Sequence, residues 1–386
     1  MKKRIYFDYA ATTPVDPRVI KAMEPFFNKK FGNSSSLHSF GFETKEVLEN
    51  SRKIIADAIN AKTTEVFFTG SATESNNMAL KGVAFANKGK HILVSSIEHD
   101  CVLNSGEWLK KQGFEVEKIS VDKYGLVNPE EVEKKIRKDT VLVSVMHANN
   151  EVGTIEPIKE IGSICRKKGV YFHTDAAQSF GKIPIDVKKM NVDLMTASSQ
   201  KIYGPKGAAM LFIREGVKID PLLHGGGQEQ GMRSSTVNIP AIVGFSKATE
   251  ICLLEMKKEE ERLTNLRNKI INTILKEVPN SYLNGHLKKR IPNNVNIRFS
   301  FVEGESILFS LDSLGIAIST ASACSSPKLE PSHVLIALGL KHEEAHGSIR
   351  LSLGRWTTSE DVDYLLKVLP EVIKKLRSIS PYKKDE

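Results

Sequence analysis

The chain has 386 residues, 40% of them hydrophobic and 26% charged, which is typical of a soluble globular protein large enough for two domains. Its four cysteines are scattered without a CxxC pair, which excludes a disulfide framework or zinc knuckle and favours a reducing cytoplasm. The net charge is +9, but no basic block is interleaved with aromatic residues, so stable nucleic-acid binding is not expected. No apolar run approaches the length of a membrane span.

The first sixty residues predict a short strand, a loop and two helices. Residues 5–14 have the pattern of a strand that runs into a loop, and helices are predicted at 17–27 and 42–59. Between these helices, residues 32–41 are polar and contain two glycines. This segment is either a plain surface connection or a mobile loop at the mouth of a site, and both interpretations stay open.

A cluster of small residues follows the strand predicted at 65–69 and precedes a helix. Gly70, Ser71, Ala72 and Thr73 supply more glycine and hydroxyl groups than a simple N-cap requires. Backbone amides at the start of a helix attract anions, and glycine lets a ligand approach them closely. This segment therefore favours a phosphate site.

Strands and helices then alternate, which predicts an open α/β sheet. The predicted strands are 91–96, 115–121, 140–146 and 170–175, and the helices between them are 103–112, 129–136 and 158–168. The 140–146 run is continuously apolar, as in a parallel strand that is covered on both faces.

Polar residues follow the carboxyl ends of these strands, where open α/β sheets bind their ligands. They are His99, Asn150, Asp175, Gln178 and Lys201. Each one alone has an ordinary explanation, such as a helix cap or a turn. Five of them at successive strand ends predict a cofactor site.

Lys201 lies between an apolar segment at 192–196 and a Gly-Pro turn. An ammonium group is costly to bury. This lysine is therefore either a surface loop residue or the attachment point of pyridoxal phosphate through a Schiff base, and the local sequence does not decide between them. Asp175 favours the cofactor, because a carboxylate beside a pyridinium nitrogen keeps the ring an electron sink.

The last third of the chain predicts a second, smaller domain. Its elements are a long charged helix at 248–278, strands at 294–299 and 317–319, and a closing helix at 358–376 with an apolar stripe. We expect a large domain of residues 15–255 and a small domain of residues 1–14 and 256–386.

Cys324 lies in a run of small polar residues that could not bury it, on a loop predicted at about 319–330. Cys101, Cys165 and Cys252 are interpreted as small buried hydrophobic residues. A thiol on a mobile loop can ionise and act as a nucleophile, so Cys324 is the candidate nucleophile.

Motifs along nearly the whole chain resemble those of cysteine desulfurases of the NifS/IscS type, within the class V aminotransferase family. These motifs are residues 9–14, 69–77, 98–99, 149–154, 175–178, 201–207, 224–236, 321–326 and 349–355. The resemblance implies the aspartate-aminotransferase-like fold of pyridoxal-phosphate enzymes. In that fold, helices cover a mostly parallel sheet in a large domain, and a smaller α+β domain lies at the C-terminus.

The resemblance also implies roles for single residues. The catalytic residues would be Lys201, which holds the cofactor, His99, which stacks on its ring and relays protons, and Cys324, which takes the sulfur. The cofactor-binding residues would be Ala72, Thr73, Asn150, Asp175, Gln178, Ser198, Gln200, Lys201 and, from the second subunit of a homodimer, Thr236. Arg350, with Asn150, would hold the substrate carboxylate.

Two positions depart from the family pattern. Gln200 replaces the usual histidine before the lysine, and an amide can donate a hydrogen bond to phosphate but cannot become a cation. Ser235 replaces a glycine, which restricts the backbone there.

The implied reaction removes sulfur from L-cysteine, releases L-alanine and leaves a persulfide on Cys324. The persulfide would pass to an acceptor for iron–sulfur assembly or other thiolation, such as a scaffold protein that briefly shares a 2Fe–2S cluster with Cys324. One alternative is another pyridoxal-phosphate lyase or aminotransferase, which would not need Cys324. The other is a non-catalytic sulfur carrier or scaffold, which would not need Lys201. We expect a cytoplasmic homodimer that binds neither a membrane nor, stably, nucleic acid.

Overall fold

The computed structural model describes residues 4–320 and 331–381 of the chain. Cys324, and with it most of the loop predicted at 319–330, lies outside the described residues. Within the described part, no helix is both long and apolar enough to cross a lipid bilayer.

The described residues form thirteen strands and twelve α-helices. The strands are β1 (Ile5–Tyr6), β2 (Val66–Thr69), β3 (His91–Ser95), β4 (Glu115–Ile119), β5 (Thr140–Ser144), β6 (Tyr171–Asp175), β7 (Leu194–Ser198), β8 (Ala209–Ile213), β9 (Ser281–Leu283), β10 (Asn294–Phe299), β11 (Ile316–Ala317), β12 (Ser319–Thr320) and β13 (Ser348–Ser352). The helices are α1 (Pro17–Met23), α2 (Pro25–Asn28), α3 (Ser39–Ala58), α4 (Ala72–Ala86), α5 (Asp100–Lys111), α6 (Pro129–Lys135), α7 (Ile158–Lys168), α8 (Ile239–Glu277), α9 (Gly304–Ser313), α10 (His333–Ala337), α11 (His342–His346) and α12 (Ser359–Ile379).

Seven strands form the central sheet in the order β2-β8-β7-β6-β5-β3-β4. Strands β7, β6, β5, β3 and β4 are parallel to one another, and only β8 runs antiparallel to its two neighbours within this sheet. Helices α5, α6 and α7 each connect one parallel strand to the next, because such a connection must cross back over the sheet. The predicted α/β class with a mostly parallel sheet is confirmed.

Apolar clusters cover both faces of the central sheet. Because successive strand residues point to opposite faces, Leu142 and Leu194 pack into one cluster, and their neighbours Val143 and Met195 pack into the other. This double burial explains why most residues of the strand predicted at 140–146 are apolar.

A second, antiparallel sheet has the order β12-β13-β10-β9, and β1 pairs with β11 beside it. Its apolar side chains pack with residues of α8, α9 and α12 into a separate cluster. Helix α8 belongs to both parts, because its residues up to Cys252 join a cluster of the central sheet and those from Leu263 onward join this one. A division at residue 255 would therefore cut through a helix, and the domain boundaries stay a prediction.

Several predicted elements have different bounds in the structure. The helix predicted at 17–27 is divided into α1 and α2, and those predicted at 42–59 and 103–112 each begin three residues earlier. The long helix predicted at 248–278 begins nine residues earlier, at Ile239, because Asn238 caps it and Pro240 fits its first turn. The strand predicted at 317–319 is divided between β11 and β12, which pair with different partners.

A buried ion pair joins α3 to the segment before α8. The Nη1 and Nη2 atoms of Arg52 donate to the two carboxylate oxygens of Glu229 at 2.7 and 2.8 Å. Glu229 also accepts the backbone N–H of Phe68, in β2, at 2.8 Å. The side chains of Arg52 and Glu229 are only 6% and 3% exposed, so Glu229 is the buried counter-ion of Arg52, which also pairs with the exposed Glu49 at 3.2 Å.

We expect Glu229→Gln to lower the free energy of unfolding by about 3–5 kcal/mol, because the Arg52 charge would lose its buried counter-ion and keep only the exposed Glu49. Equilibrium urea denaturation measures this loss. Lys53→Met is the matched control: it removes the exposed pair with Asp57, and its expected effect is below about 1 kcal/mol. Equal midpoints for the two variants would contradict the prediction.

Candidate active site

The carboxyl ends of β3, β5, β6 and β7 lie at one edge of the central sheet, because these strands are parallel neighbours. His99 follows β3, Asn150 follows β5, Asp175 ends β6, and Lys201 lies in the short 3-10 turn after β7. The structure thus brings these four predicted residues to the same edge, where α/β sheets bind ligands.

The segment of small residues after β2 opens directly into α4. Ala72 and Thr73 are the first residues of this helix, and the Ser71 side chain caps it by accepting the backbone N–H of Glu74 at 3.1 Å. Glu74 also accepts the backbone N–H of Gly70 at 2.9 Å and pairs with Arg233 at 2.7 Å. The first turn of a helix offers amides without intrahelical partners, which suits a phosphate group.

The Asp175 carboxylate is buried and held by two donors. Its Oδ1 accepts the backbone N–H of Ala177 at 2.8 Å, and its Oδ2 accepts Nδ2 of Asn76 at 2.6 Å. Asn76 lies on α4, so the helix that begins at Ala72 also orients this carboxylate. No role for Asn76 was predicted from the sequence, although this residue belongs to the motif at 69–77 and is four residues after Ala72, on the same face of the helix.

His99 caps α5, and its ring has a defined orientation. Its Nδ1 accepts the backbone N–H of Cys101 at 3.1 Å, which places the proton of the neutral ring on Nε2.

The prediction that Cys101 is a plain buried residue is wrong, since it is only half-buried. Its Sγ lies 3.1 Å from His99 Nδ1 and 3.1 Å from Asn76 Nδ2. Burial, with the charge of Asp175, raises the pKa of the Cys101 thiol to about 12, so it stays protonated.

The Lys201 ammonium contacts the N-terminal segment. Its Nζ donates to the carbonyl oxygens of Ala10 and Ala11, each at 2.6 Å. The Gln178 Nε2 donates to the same Ala10 oxygen at 3.0 Å. The sequence analysis interpreted residues 5–14 only as a strand and a loop, because carbonyl groups carry no side-chain signal.

The same N-terminal segment also holds the turn before Lys201. Thr13 Oγ1 donates to the Gln200 carbonyl at 3.0 Å, and Thr12 Oγ1 donates to the Gln200 side-chain oxygen at 3.4 Å. Ser198, at the end of β7, is buried beside this turn. The backbone that carries Lys201 is therefore positioned by side chains nearly two hundred residues earlier.

Arg350 is buried on β13, with a side chain that is 3% exposed. Its Nη2 donates to Asp8 Oδ1 at 2.8 Å, and its Nη1 donates to the backbone oxygen of Asn150 at 3.2 Å. Its Nε has no hydrogen-bond partner among the described residues. A buried guanidinium with an unused N–H suits a carboxylate ligand. Asp8 is a further residue that the sequence analysis missed.

The motif at 149–154 joins this edge of the central sheet to the second sheet. Gly153 has a φ of +76°, and a Cβ there would lie 2.6 Å from Asn294, the first residue of β10. Asn294 donates to the carbonyl oxygen of Glu151 at 2.9 Å. Because β10 pairs with β13, this close approach sets the position of Arg350 relative to the sheet edge.

Two predicted site residues are not brought to this edge by described contacts. Thr236 is exposed in the segment before α8, and its implied role belongs to the second subunit of a dimer. Cys324 lies outside the described residues.

Glu98, next to His99, is a buried carboxyl group. Ser95 Oγ and the Met146 backbone N–H donate to its Oε1 at 2.7 and 2.6 Å, and its Oε2 has no partner in the described part of the chain. Burial, with a smaller contribution from the negative charge of Asp175, raises the pKa of Glu98 to about 8. The carboxyl is therefore neutral at pH 7 and places no second charge beside Asp175.

A carboxyl group whose pKa is higher in the folded than in the unfolded chain contributes stability below its ordinary pKa of 4.5, and this contribution is lost as the pH rises to about 8. We expect Glu98→Gln to remove this loss, because the amide does not ionise. The wild-type melting temperature should then fall more steeply between pH 5 and 8 than that of the variant. Glu107→Gln is the control, because the hydrogen bond from Lys110 lowers the pKa of Glu107. A wild-type slope equal to that of Glu98→Gln would refute the prediction.

Comparisons with known proteins agree with this geometry. Residues 5–365 match the family described as aminotransferase class V. A cysteine desulfurase IscS 1 from Archaeoglobus fulgidus is 58% identical over 378 residues, which cover 97% of this chain and 98% of that protein. The chain belongs to the class V aminotransferases and, within them, to the cysteine desulfurase family.

Other members of the family extend the match. A cysteine desulfurase IscS from Dictyoglomus turgidum is 54% identical over 387 residues, which cover all of this chain and 98% of that protein. A solved structure titled NifS-like protein superposes with a TM-score of 0.91 at 39% identity, covering 97% of this chain and 100% of that one. A NifS-like protein from Rickettsia africae gives 0.88 at 33% identity, covering 96% and 100%.

Class V aminotransferases depend on pyridoxal phosphate, and the residues at the sheet edge fit this cofactor. Lys201 offers an amine for its aldehyde, and Asp175, held by two donors, offers a carboxylate for its ring nitrogen. The start of α4 offers amides and the Thr73 hydroxyl for its phosphate.

Proposed function

We propose that this protein is a pyridoxal-phosphate-dependent cysteine desulfurase, which converts L-cysteine to L-alanine and takes the sulfur as a persulfide on Cys324. The observation that carries the proposal is the shared sheet edge of Lys201 and Asp175, in a chain that also has Cys324. An amine and a carboxylate in this arrangement serve carbanion chemistry, and a nucleophilic thiol directs that chemistry to sulfur.

The residues at the sheet edge have different roles in the proposed reaction. When bound, pyridoxal phosphate withdraws electrons from the α-carbon of the substrate. Lys201 would hold the cofactor and move the α-proton, and Asp175 would keep the ring nitrogen protonated. His99 would stack on the ring and offer its Nε2 proton, since Nδ1 already accepts the Cys101 N–H.

The remaining roles concern binding. Ala72, Thr73, Ser198 and Gln200 hold the phosphate, joined by Thr236 of the partner subunit. Asn150 and Gln178 would lie near the ring hydroxyl, and Arg350 would bind the substrate carboxylate with its guanidinium fork. The carbonyl of Asn150 supports this binding, because it accepts Nη1 of Arg350 at 3.2 Å.

A homodimer is part of the proposal. The segment from α1 to α3 exposes six large apolar side chains, namely Ile20, Phe27, Phe31, Leu37, Phe40 and Phe42. An apolar surface of this kind favours contact with another protein. A second copy of the chain would cover it and would supply Thr236, which is exposed in the single chain.

We place the enzyme in the cytoplasm and propose that it passes sulfur to an iron–sulfur scaffold protein or to another thiolation partner. Relatives that carry the name IscS support this assignment. A transient 2Fe–2S cluster shared through Cys324 belongs to the same proposal. The cysteines at 101, 165 and 252 are free thiols, which is in keeping with a reducing compartment.

The activity is tested with purified protein, L-cysteine and a reductant, by measuring alanine, sulfide and the absorbance of the bound cofactor. Wild type should be yellow and release both products, and Cys324→Ala should stay yellow but lose sulfur transfer. Ser326→Ala is the matched control and should stay active. An equally active Cys324→Ala variant would indicate another lyase or aminotransferase, and a colourless protein would favour the carrier.

We expect Arg350→Lys to raise the KM for L-cysteine about 10- to 100-fold, with a smaller change in kcat. A lysine cannot reproduce the planar two-donor contact with a carboxylate, and such charged hydrogen bonds contribute about 1.5–3 kcal/mol. Steady-state kinetics measure both constants. Arg377→Lys, in the last turns of α12, controls for the exchange of charge type. An unchanged KM in Arg350→Lys would show that the carboxylate binds elsewhere.

A further inference from the structure

A second lysine, Lys182, lies behind the Lys201 site and is connected to it through Gln178. Lys182 Nζ donates to Gln178 Oε1 at 3.4 Å. On its other side, Gln178 Nε2 donates at 3.0 Å to the Ala10 carbonyl oxygen, which also accepts Lys201 Nζ at 2.6 Å. One glutamine amide therefore connects the two lysine sites, and the roles given above do not use Lys182.

Two contacts fix the direction of the Gln178 amide. The protonated form of Lys182 has three donors and no acceptor, so the amide oxygen faces it, and the Ala10 carbonyl only accepts, so the NH2 group faces Ala10. The NH2 group therefore lies on the Lys201 side, since the same Ala10 oxygen accepts Lys201 Nζ. Gln178 is buried, which limits the help that water can give to the opposite orientation.

Lys182 also lines a cleft behind the site. The titratable and charged groups that line the cleft with it are Tyr203, Cys252, Glu259, Glu260 and Arg355. Burial, and then the positive charge of Lys201, lower the pKa of Lys182 to about 7. The same repulsion acts in reverse, so a charged Lys182 disfavours a positive charge at the Lys201 nitrogen.

We propose that Lys182 is a positioning residue, which makes Gln178 a hydrogen-bond donor toward the cofactor and places a second positive charge behind Lys201. This inference rests on the proposed function. Donation from Gln178 stabilises the ring hydroxyl of bound pyridoxal phosphate as its anion. Both effects lower the proton affinity of the nitrogen that joins Lys201 to the cofactor.

The test is a pH titration of the absorbance of holoenzyme loaded with pyridoxal phosphate. In Lys182→Met, the midpoint of the titration should rise by about one pH unit, because the positive charge is lost together with one of the two contacts that orient the Gln178 amide. Lys182→Arg keeps a donor and a charge, so it should return the midpoint close to that of wild type. Lys189→Met removes an exposed lysine and should have no effect.

A second readout is the dissociation constant of pyridoxal phosphate. We expect it to rise about 3- to 10-fold in Lys182→Met, which corresponds to one weakened hydrogen bond. If Lys182→Met does not fold, Lys182→Gln replaces it. That variant keeps a donor but loses the charge, so the titration midpoint should still rise, by less.

The outcomes separate this inference from the proposed function. A wild-type protein without the absorbance of a lysine-bound cofactor would overturn the proposed function itself. A wild-type protein that shows this absorbance, with a folded Lys182 variant that titrates at the same pH, would overturn only the role of Lys182. A raised midpoint that Lys182→Arg returns to the wild-type value would support it, since a merely structural role would leave the titration unchanged.

Discussion

The contact between the Lys201 ammonium and two N-terminal carbonyl groups is the constraint on which the site depends. It joins residues that are 191 and 190 positions apart in the chain, at 2.6 Å. The Ala10 and Ala11 carbonyl groups supply acceptors for this ammonium, so the N-terminal segment at 10–13 lies against the sheet edge. The Thr13 hydroxyl then donates to the Gln200 carbonyl and accepts the backbone N–H of Tyr203, which fixes the backbone on both sides of the lysine.

Helix α4 extends this constraint to the other end of the site. Its first turn offers donors for a phosphate, and Asn76, one turn later, donates to Asp175 at 2.6 Å. One rigid element therefore sets the distance between a phosphate site and a carboxylate. The Glu98 carboxyl is neutral, which avoids a second negative charge that would repel the Asp175 carboxylate.

The second sheet contributes to the same site through a close backbone approach. Gly153 contacts Asn294 so closely that any larger residue at position 153 would clash. This contact fixes the position of β10 relative to the sheet edge and, because β13 pairs with β10, also that of β13. Arg350 thereby reaches the Asn150 carbonyl from a different sheet. Its charge is balanced by Asp8, next to the segment that holds Lys201, so the two cationic groups of the site share one N-terminal segment.

The sequence by itself determined the alternation of strands and helices, the sheet edge at which His99, Asp175 and Lys201 meet, and the family, because apolar periodicity and motif spacing are local properties. It misplaced the start of α8 and interpreted Cys101 as a plain buried residue. Only the tertiary structure decided that Asn76, Asp8 and the Ala10 carbonyl hold the charged groups. Such partners are selected by burial, since each buried charge takes whichever donor or acceptor the fold brings within reach, from any distance along the chain.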